Sequence, residues 1–332
     1  MMKKIFFSIL AMAAMAACAT DETVVAPKGE AIGFGAFVDN VTKAIDPSYN
    51  SSSNKISEIY VYGTVTGSSD TPVSIFDYTK VSDDNSVGYK SAWVCEKTQY
   101  WVAGADYQFA AVAGVAKSGV ICTDYIPSSI VFTSNGTTDL VYGATTVEDA
   151  SATGNATVAF DMEHLLAKVK FTVENTTNKG FADKNSGYYY KVTGVKITNA
   201  YTAGTVALST KAWTVSGSNN NEVSFGNVTK STDESAAADA IADRAVVTSN
   251  YERLLIPNNY TGLNVQFTLS LYLDNDSNLI NSDTKNIPVD VNLTAGNAYN
   301  FKLEVSVGQE IEFTVNTLDE WDETNQTIYP QN

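Results

Sequence analysis

Histidine, cysteine and positive charge are scarce in this sequence. It contains 1 histidine, 3 cysteines and 21 lysines and arginines, against 37 aspartates and glutamates, which gives a formal net charge of −16. Nucleic acid is therefore excluded as a partner, because its phosphates attract basic proteins. With so few histidines and cysteines, none are spaced as a metal-ligand set, and we expect neither a metal nor a cofactor.

Common catalytic motifs are missing as well. The sequence contains no G-x-S-x-G, H-E-x-x-H or phosphate-binding loop pattern. Its single histidine, His164, is flanked by Met162, Leu165 and Leu166, which predicts a structural side chain. Acidic residues are numerous enough to act in pairs on a glycan, but nothing in the sequence places two in one cleft. We predict that the protein is not an enzyme.

Three polar residues, Asp274, Asp276 and Asn278, have the spacing that begins a calcium-binding loop. In such a loop the next position is a glycine that permits a sharp turn, and a glutamate closes the coordination shell. Here Leu279 and Lys285 occupy those two positions. We predict an ordinary hairpin turn.

Long hydrophobic runs are limited to residues 5–15, which follow two lysines and end near Cys18. A membrane-spanning helix needs ~20 apolar residues, so this shorter run predicts a signal peptide over residues 1–18. A cysteine after two small residues is similar to the lipobox of bacterial lipoproteins. That similarity implies lipid attachment at Cys18 and a precursor anchored in the outer membrane. Plain secretory cleavage is the alternative.

Two cysteines, Cys95 and Cys122, remain after this segment. An oxidising compartment would permit one disulfide between them. Two unpaired cysteines are the alternative, and the sequence leaves both open.

Short runs in which apolar and polar residues alternate fill most of the remaining chain. Turn residues separate them, a pattern typical of an all-β sandwich. The clearest predicted strands are residues 56–62, 168–173, 192–198, 265–273, 300–307 and 310–317. The best helix signal is the alanine-rich stretch 232–245, where Ser231 and Glu234 are spaced as a capping box.

The chain of 332 residues is large for a single core and suits two domains. A turn-rich segment, residues 148–155, precedes Phe160. We therefore predict two tandem β-sandwich domains, residues 44–160 and 161–332.

Several short sequence patterns follow one another along the chain. These are residues 58–63 (EIYVYG), 100–101 (YW), 107–111 (YQFAA), 139–143 (DLVYG), 160–169 (FDMEHLLAKV), 255–257 (LIP) and 295–299 (AGNAY), followed by Trp321. Together they resemble the fimbrillin family of the Bacteroides group, the subunits of type V pili. The resemblance implies transthyretin-like, Greek-key β-sandwiches and a structural subunit of a cell-surface pilus that supports adhesion.

The segment 31–41 (AIGFGAFVDNV) alternates as a strand does. One side of it carries four apolar residues, Ile32, Phe34, Ala36 and Val38. Lys43 and Ala44 follow, just before a polar stretch that we expect proteases to reach. In fimbrillins a trypsin-like protease cuts after a basic residue at the end of the first strand. The resemblance therefore implies a propeptide over residues 19–43, cleaved between Lys43 and Ala44.

Removing this first strand would open a groove that another chain's strand can fill. The predicted donor strand lies near the C-terminus, where Ile311, Phe313 and Val315 alternate with polar residues. Other copies of the chain, or related pilins, would then join head to tail, and such contacts do not close on themselves. The alternative is that both segments are ordinary strands of one monomer.

Two further functions fit the same fold. The first is a tip or accessory adhesin that contacts a host glycan or protein and lacks a usable donor strand. The second is a surface lipoprotein that binds polysaccharide through aromatic residues such as Trp93, Trp213 and residues 188–190.

Overall fold

The computed structural model describes residues 29–34, 58–67, 71–84, 92–153, 155, 157–180, 187–231, 233, 235–273 and 278–318. Within them the fold is all-β, as predicted, with one short 3-10 turn at Lys117–Gly119. No helix in these ranges is long and apolar enough to cross a membrane. The strands, in chain order, are β1 (Glu58–Thr66), β2 (Val73–Asp84), β3 (Ala92–Cys95), β4 (Asp106–Ala113), β5 (Val120–Thr123), β6 (Ile126–Thr133), β7 (Val141–Val147), β8 (Glu163–His164), β9 (Ala167–Asn175), β10 (Tyr188–Ala200), β11 (Ala203–Ala207), β12 (Ala212–Ser216), β13 (Asn221–Gly226), β14 (Ile241–Ala242), β15 (Val246–Leu255), β16 (Asn258–Leu273), β17 (Asn278–Leu293), β18 (Ala298–Val305) and β19 (Glu312–Leu318).

These strands form four sheets. Sheet A has six strands in the order β3-β2-β1-β4-β7-β8, and sheet B has the order β12-β11-β6-β5. Sheet C has the order β13-β10-β16-β17, with β14 also paired to β10, and sheet D has the order β15-β9-β18-β19. Each of the six strands predicted most clearly from alternation is present, because the alternation places one face of each against a core.

Three apolar cores hold the sheets together. Sheets C and D enclose one core, to which Phe171, Phe225 and Phe301 contribute. Sheets A and B enclose a second, which contains Tyr62 and Ile130. The other face of sheet A forms a third core, called here the groove core, with Ile59, Val61, Phe76, Val81, Tyr107 and Phe109 among its members.

The hairpin β11–β12 crosses the domain boundary predicted at Phe160. Although it follows that residue by more than 40 positions, β11 pairs with β6 and completes sheet B. Leu254 and Ile256, from the second half of the chain, also enter the core between sheets A and B. Alternation predicts where strands lie but does not predict which strands pair. The sequence therefore could not reveal that β11 and β12 belong to the same sheet as β5 and β6.

The predicted helix over residues 232–245 is wrong in the part of that stretch the structure describes. Short polar side chains bond to backbone N–H groups there instead. Ser231 Oγ accepts a hydrogen bond from Asp233 N–H at 3.1 Å, and Asp233 Oδ1 accepts one from Ser235 N–H at 2.9 Å. Ile241 is fully buried and belongs to β14. Serine and aspartate side chains often compete with helical hydrogen bonds in this way. Burial of Ile241 also favours the non-helical conformation.

The strands on either side of the predicted hairpin turn pair with each other, as a hairpin requires. Leu273 at the end of β16 pairs with Asn278 at the start of β17. Residues 274–277, which include Asp274 and Asp276, lie outside the described ranges.

Candidate functional site: a groove filled by the N-terminal segment

Residues 29–34, called here the plug segment, lie between two stretches of chain that border the groove core. On one side, the plug segment pairs antiparallel with residues 99–101. Ile32 N–H donates to the Gln99 carbonyl at 2.8 Å, and Trp101 N–H donates to the Glu30 carbonyl at 3.0 Å. This side of the groove therefore offers the hydrogen bonds of a strand edge.

The second side of the groove is formed by residues 152–158. Glu30 N–H donates to the Ala152 carbonyl at 2.9 Å, and Val158 N–H donates to the Gly33 carbonyl at 2.9 Å. The bridge at Phe34 and Val158 is parallel. The plug segment is thus bonded along both of its edges, like a strand inside a sheet.

The plug segment buries every second side chain. Ile32 and Phe34 are each 5% exposed, whereas residues 31 and 33 face outward. The Phe34 ring meets Phe76 edge-on at 5.4 Å and Phe109 edge-on at 6.0 Å, and it stacks on Phe160 at 6.1 Å between centroids. Aromatic pairs in such geometries add to the free energy of burial. Phe34 is therefore the main side chain that seals the groove core.

A glycine in β1 gives the groove its aromatic floor. A Cβ at Gly63 would lie 2.9 Å from ring carbons of both Phe76 and Phe109, closer than real Cβ atoms approach. Only glycine lets the two rings meet over the strand. The glycine that ends the EIYVYG pattern therefore shapes the site.

An aromatic pair fixes one wall of the groove. Trp101 packs edge-on against Tyr107 at 4.8 Å, and the Tyr107 hydroxyl accepts a hydrogen bond from Val102 N–H at 2.8 Å. Burial raises the pKa of the Tyr107 phenol. The hydroxyl therefore stays protonated, and the segment that pairs with the plug is held by both rings.

The predicted donor residues lie at the opposite end of the described chain, in and just before β19. Ile311, Phe313 and Val315 pack against the core of sheets C and D but are only half-buried. Phe313 meets Phe301 edge-on at 5.8 Å. In the part of the chain that the structure describes, β19 pairs with β18 alone, so it is an edge strand.

Charge on β19 is poorly matched to its neighbour. Glu312 lies directly opposite Glu304 of β18, and like charges across a strand pair are destabilising. Lys302 partly offsets this, because its Nζ lies 2.5 Å from both Glu304 Oε1 and Glu174 Oε2. Hydrogen bonds from Lys179 and then Lys302 hold the pKa of the Glu174 carboxyl below its ordinary value.

The remaining predicted site residues are placed as follows. Cys18, Ala36, Val38, Lys43 and Ala44 lie outside the described residues, and their roles stay predictions. The permitted disulfide is not formed. Cys95 is a half-buried thiol that contacts the Lys97 carbonyl at 3.1 Å, and Cys122 is exposed. Among described residues, no group of three or more histidine, cysteine or acidic side chains is placed to hold a metal ion.

His164 is a buried structural residue, as its apolar flanks predict. It is 7% exposed, and its Nδ1 lies 2.7 Å from Asp139 Oδ2. Sequence reasoning missed Asp139 as its partner because the two residues are 25 positions apart. The pair joins the loop before β7 to β8.

The aromatic residues considered for sugar stacking are turned inward. Tyr189 and Tyr190 are buried, while Tyr188, Trp93 and Trp213 are half-buried. Trp213 Nε1 donates to the Leu165 carbonyl at 2.7 Å. Trp93 packs against the groove core, and Trp213 packs against the core between sheets A and B.

The sheets and cores define a protein of tandem β-sandwiches. A solved structure with this fold is a fimbrial protein from Bacteroides vulgatus, with a TM-score of 0.63 and 14% sequence identity over 88% of this chain and 99% of that one. The chain belongs to the fimbrillin-like family, whose model matches residues 42–321.

A weaker structural similarity is to a candidate cell adhesion protein from Bacteroides uniformis, with 16% identity, coverage of 88% of this chain and 99% of that one, and a TM-score of 0.48. No curated protein matches the sequence. Family membership supports a cell-surface protein that acts as a pilus subunit or in adhesion, and it suggests a structural protein rather than a catalyst.

Proposed function

We propose that the protein is a structural pilus subunit that polymerises by strand exchange. It would be exported as a precursor, lipidated on Cys18 and held in the outer membrane. A trypsin-like protease would then cut between Lys43 and Ala44, which releases the subunit from its lipid. Each subunit's C-terminal strand would next fill the groove of another copy.

The observation that carries this proposal is the bonding of the plug segment. It is buried like an internal strand, yet it lies on the N-terminal side of Lys43 in the sequence. One cut after Lys43 therefore detaches it from the rest of the chain. What would remain is an open groove lined by Phe76, Phe109 and Phe160.

An empty groove is unstable in water. Its backbone groups at Gln99, Trp101, Ala152 and Val158 would lose their strand partner. A new strand regains ~1.5 to 3 kcal/mol for each large apolar side chain that it buries. It also gains ~0.5 to 1.5 kcal/mol for each backbone hydrogen bond. Two or three buried side chains and four such bonds are enough for a lasting joint.

The C-terminal strand is suited to be the donor. β19 is held along one edge and is only half-buried, so leaving sheet D costs less than leaving an internal position. In the groove, Ile311, Phe313 and Val315 would exchange partial burial for full burial. A donor at one end and a groove at the other make a heterologous contact, which produces an open filament.

The test is controlled cleavage. The full chain carrying Cys18→Ser, which cannot be lipidated, is treated with trypsin and analysed on unheated SDS gels with N-terminal sequencing. We expect a product that begins at Ala44 and a ladder of SDS-resistant oligomers. Lys43→Gln combined with Lys55→Gln should prevent the ladder, because these are the two lysines between the plug segment and β1. The matched control Lys28→Gln combined with Lys55→Gln should not, because residue 28 precedes the plug segment. Cleaved protein that stays monomeric at high concentration would refute the proposal.

A further inference from the structure

The described chain contains the same short pattern twice. Residues 29–34 read Gly-Glu-Ala-Ile-Gly-Phe, and residues 308–313 read Gly-Gln-Glu-Ile-Glu-Phe. Glycine, isoleucine and phenylalanine recur at the same spacing, and glutamine replaces the similarly shaped glutamate. Resting on the proposed function, we infer that residues 308–313 replace residues 29–34 position by position, in the same direction, with Phe313 in the Phe34 pocket.

The strongest support is a steric requirement at the first position. A Cβ on Gly29 would lie 2.5 Å from the Trp101 carbonyl oxygen, closer than real Cβ atoms approach. Since that oxygen belongs to the backbone of the groove wall, it cannot swing away as a side chain could. A donor strand in this register must therefore present glycine there, and Gly308 does so.

The apolar positions agree with the same register. Ile32 and Phe34 point into the groove core at 5% exposure. Ile311 takes the place of Ile32, and Phe313 takes the place of Phe34. Both replacements are identical residues, so the pockets need no repacking. Shifting the donor by two residues would put Phe313 in the isoleucine pocket and lose the match.

The outward positions also accept the donor side chains. Ala31 and Gly33 are exposed, and a Cβ at residue 33 would meet its nearest neighbour, Thr157 Cγ2, at 3.8 Å, an ordinary contact distance. Glu310 and Glu312 would stand at these two positions with their carboxylates in water. The move also separates Glu312 from Glu304, which faces it in sheet D.

The backbone bonds of the groove place no further demand on the donor. The plug segment bonds through the main chain of Glu30, Ile32 and Gly33. Gln309, Ile311 and Glu312 would supply the same groups, and no proline interrupts residues 308–318. The steric limit at Gly29 and the two apolar pockets therefore select the register, and hydrogen bonding is compatible with it.

Disulfide trapping tests the register. Ala31 bridges antiparallel to Tyr100, which is 55% exposed and tolerant of replacement. The inferred register puts Glu310 of one copy opposite Tyr100 of the next, within the Cα separation of ~4.4 to 6.8 Å that a disulfide spans. Chains carrying Tyr100→Cys and chains carrying Glu310→Cys are mixed, cleaved with trypsin and oxidised. Cys18, Cys95 and Cys122 are serine in all of them.

The matched control replaces Glu310→Cys with Glu312→Cys. A linked pair on non-reducing gels with the residue-310 variant, and none with the residue-312 variant, supports the register. Linkage with residue 312 instead overturns the register while the proposed function stands. SDS-resistant ladders without linkage in either mixture also overturn it. If no ladder forms, the proposed function and the register fail together.

A second test uses Gly308→Ala. In the subunit's own fold Gly308 has a φ of +76°, so alanine strains that turn and should loosen β19. A loosened donor would assemble faster, whereas the contact with the Trp101 carbonyl in the groove would block its insertion. The inferred register predicts loss of the ladder together with a lowered melting temperature. A ladder that forms as readily as in the parent chain would contradict it.

Discussion

The plug segment and β19 are both strand-like and both apolar on one side, but the structure holds them differently. The plug segment is hydrogen-bonded along two edges, and its Ile32 and Phe34 are 5% exposed. β19 is bonded to β18 along one edge, and Phe313 is half-buried. The segment whose removal we propose is thus the one that is held more firmly.

This difference would give the proposed proteolysis a physical role. A strand bonded on both edges over an apolar core does not leave a folded domain readily while it remains part of the chain. The proposed cut after Lys43 would change this, because the freed segment could then diffuse away. An edge strand needs no such cut. Under the proposed function, the precursor would therefore stay closed, and cleavage would commit the subunit to assembly.

The two regions also differ in charge. The groove around Phe34 is built from aromatic rings, so its contacts depend little on pH or salt. β19 borders a ladder of charged residues that includes Glu174, Lys302 and Glu304. Conditions that alter charge should therefore act on β19, the donor side of the proposed exchange.

The largest expected effect is from deleting residues 310–332. This removes the proposed donor strand and leaves the groove, so trypsin-treated protein should form no SDS-resistant ladder. The monomer should remain folded, because its lost contacts are those of a half-buried edge strand. Gel analysis and a melting curve measure the two properties. Polymerisation that survives the deletion would argue against a stalk subunit and for another donor.

Replacing Phe34 or Phe313 with alanine should lower the free energy of unfolding by different amounts. Phe34→Ala should lower the free energy of unfolding of the uncut chain by ~3 to 5 kcal/mol, the usual cost of a buried phenylalanine. Phe313→Ala should cost about 1 to 2 kcal/mol, because half-buried residues lose less. Urea unfolding measures both. Equal losses would show that the two strands are held alike.

Acid should weaken sheet D through Glu174. Lys179 and then Lys302 lower the pKa of the Glu174 carboxyl in the folded protein. The contribution of Glu174 to the free energy of unfolding is therefore present above the ordinary pKa of 4.5, and it is lost as the pH falls through the lowered folded pKa. Glu174→Gln should remove about 1 kcal/mol of stability at neutral pH and little at pH 2. Urea unfolding at several pH values checks this. A loss that is constant with pH would contradict the assignment.

The smallest effect concerns the carboxylate on β19. Glu312→Lys should place opposite charges across the strand pair with Glu304 and stabilise β19 by about 0.5 kcal/mol. Assembly after cleavage should slow accordingly. Glu310→Lys changes the net charge equally but lies before β19, so it serves as the matched control. If both variants slow assembly to the same degree, net charge and not the strand pair is responsible.

Sequence alone predicted the strands well and their partners poorly. Alternation located β9, β16 and β18 because each has one face against a core. It could not show that β11 joins β6, since pairing is set by tertiary contacts. Alanine content suggested a helix near residue 240, where buried Ile241 and polar turns prevail instead.

The groove was predicted in part. The apolar side of the first strand was visible in Ile32 and Phe34, but its neighbours were not, because Phe76, Phe109 and Phe160 are scattered along the chain. Asp139 was missed for the same reason. Gly63 was visible in the sequence only as the last residue of the EIYVYG pattern, and the structure shows that it lies inside β1 and makes room for two rings.

The central claim is that a freed C-terminal strand fills an opened groove in another copy. Two chains test it directly. The first carries Lys43→Gln, so its groove stays filled while its donor strand is intact. The second lacks residues 310–332 and has been cut with trypsin, which is then removed, so its groove is open but it has no donor. Native mass spectrometry of the mixture should show a one-to-one complex and no larger species, with each chain alone monomeric. Absence of that complex, or continued growth beyond two chains, would contradict the account.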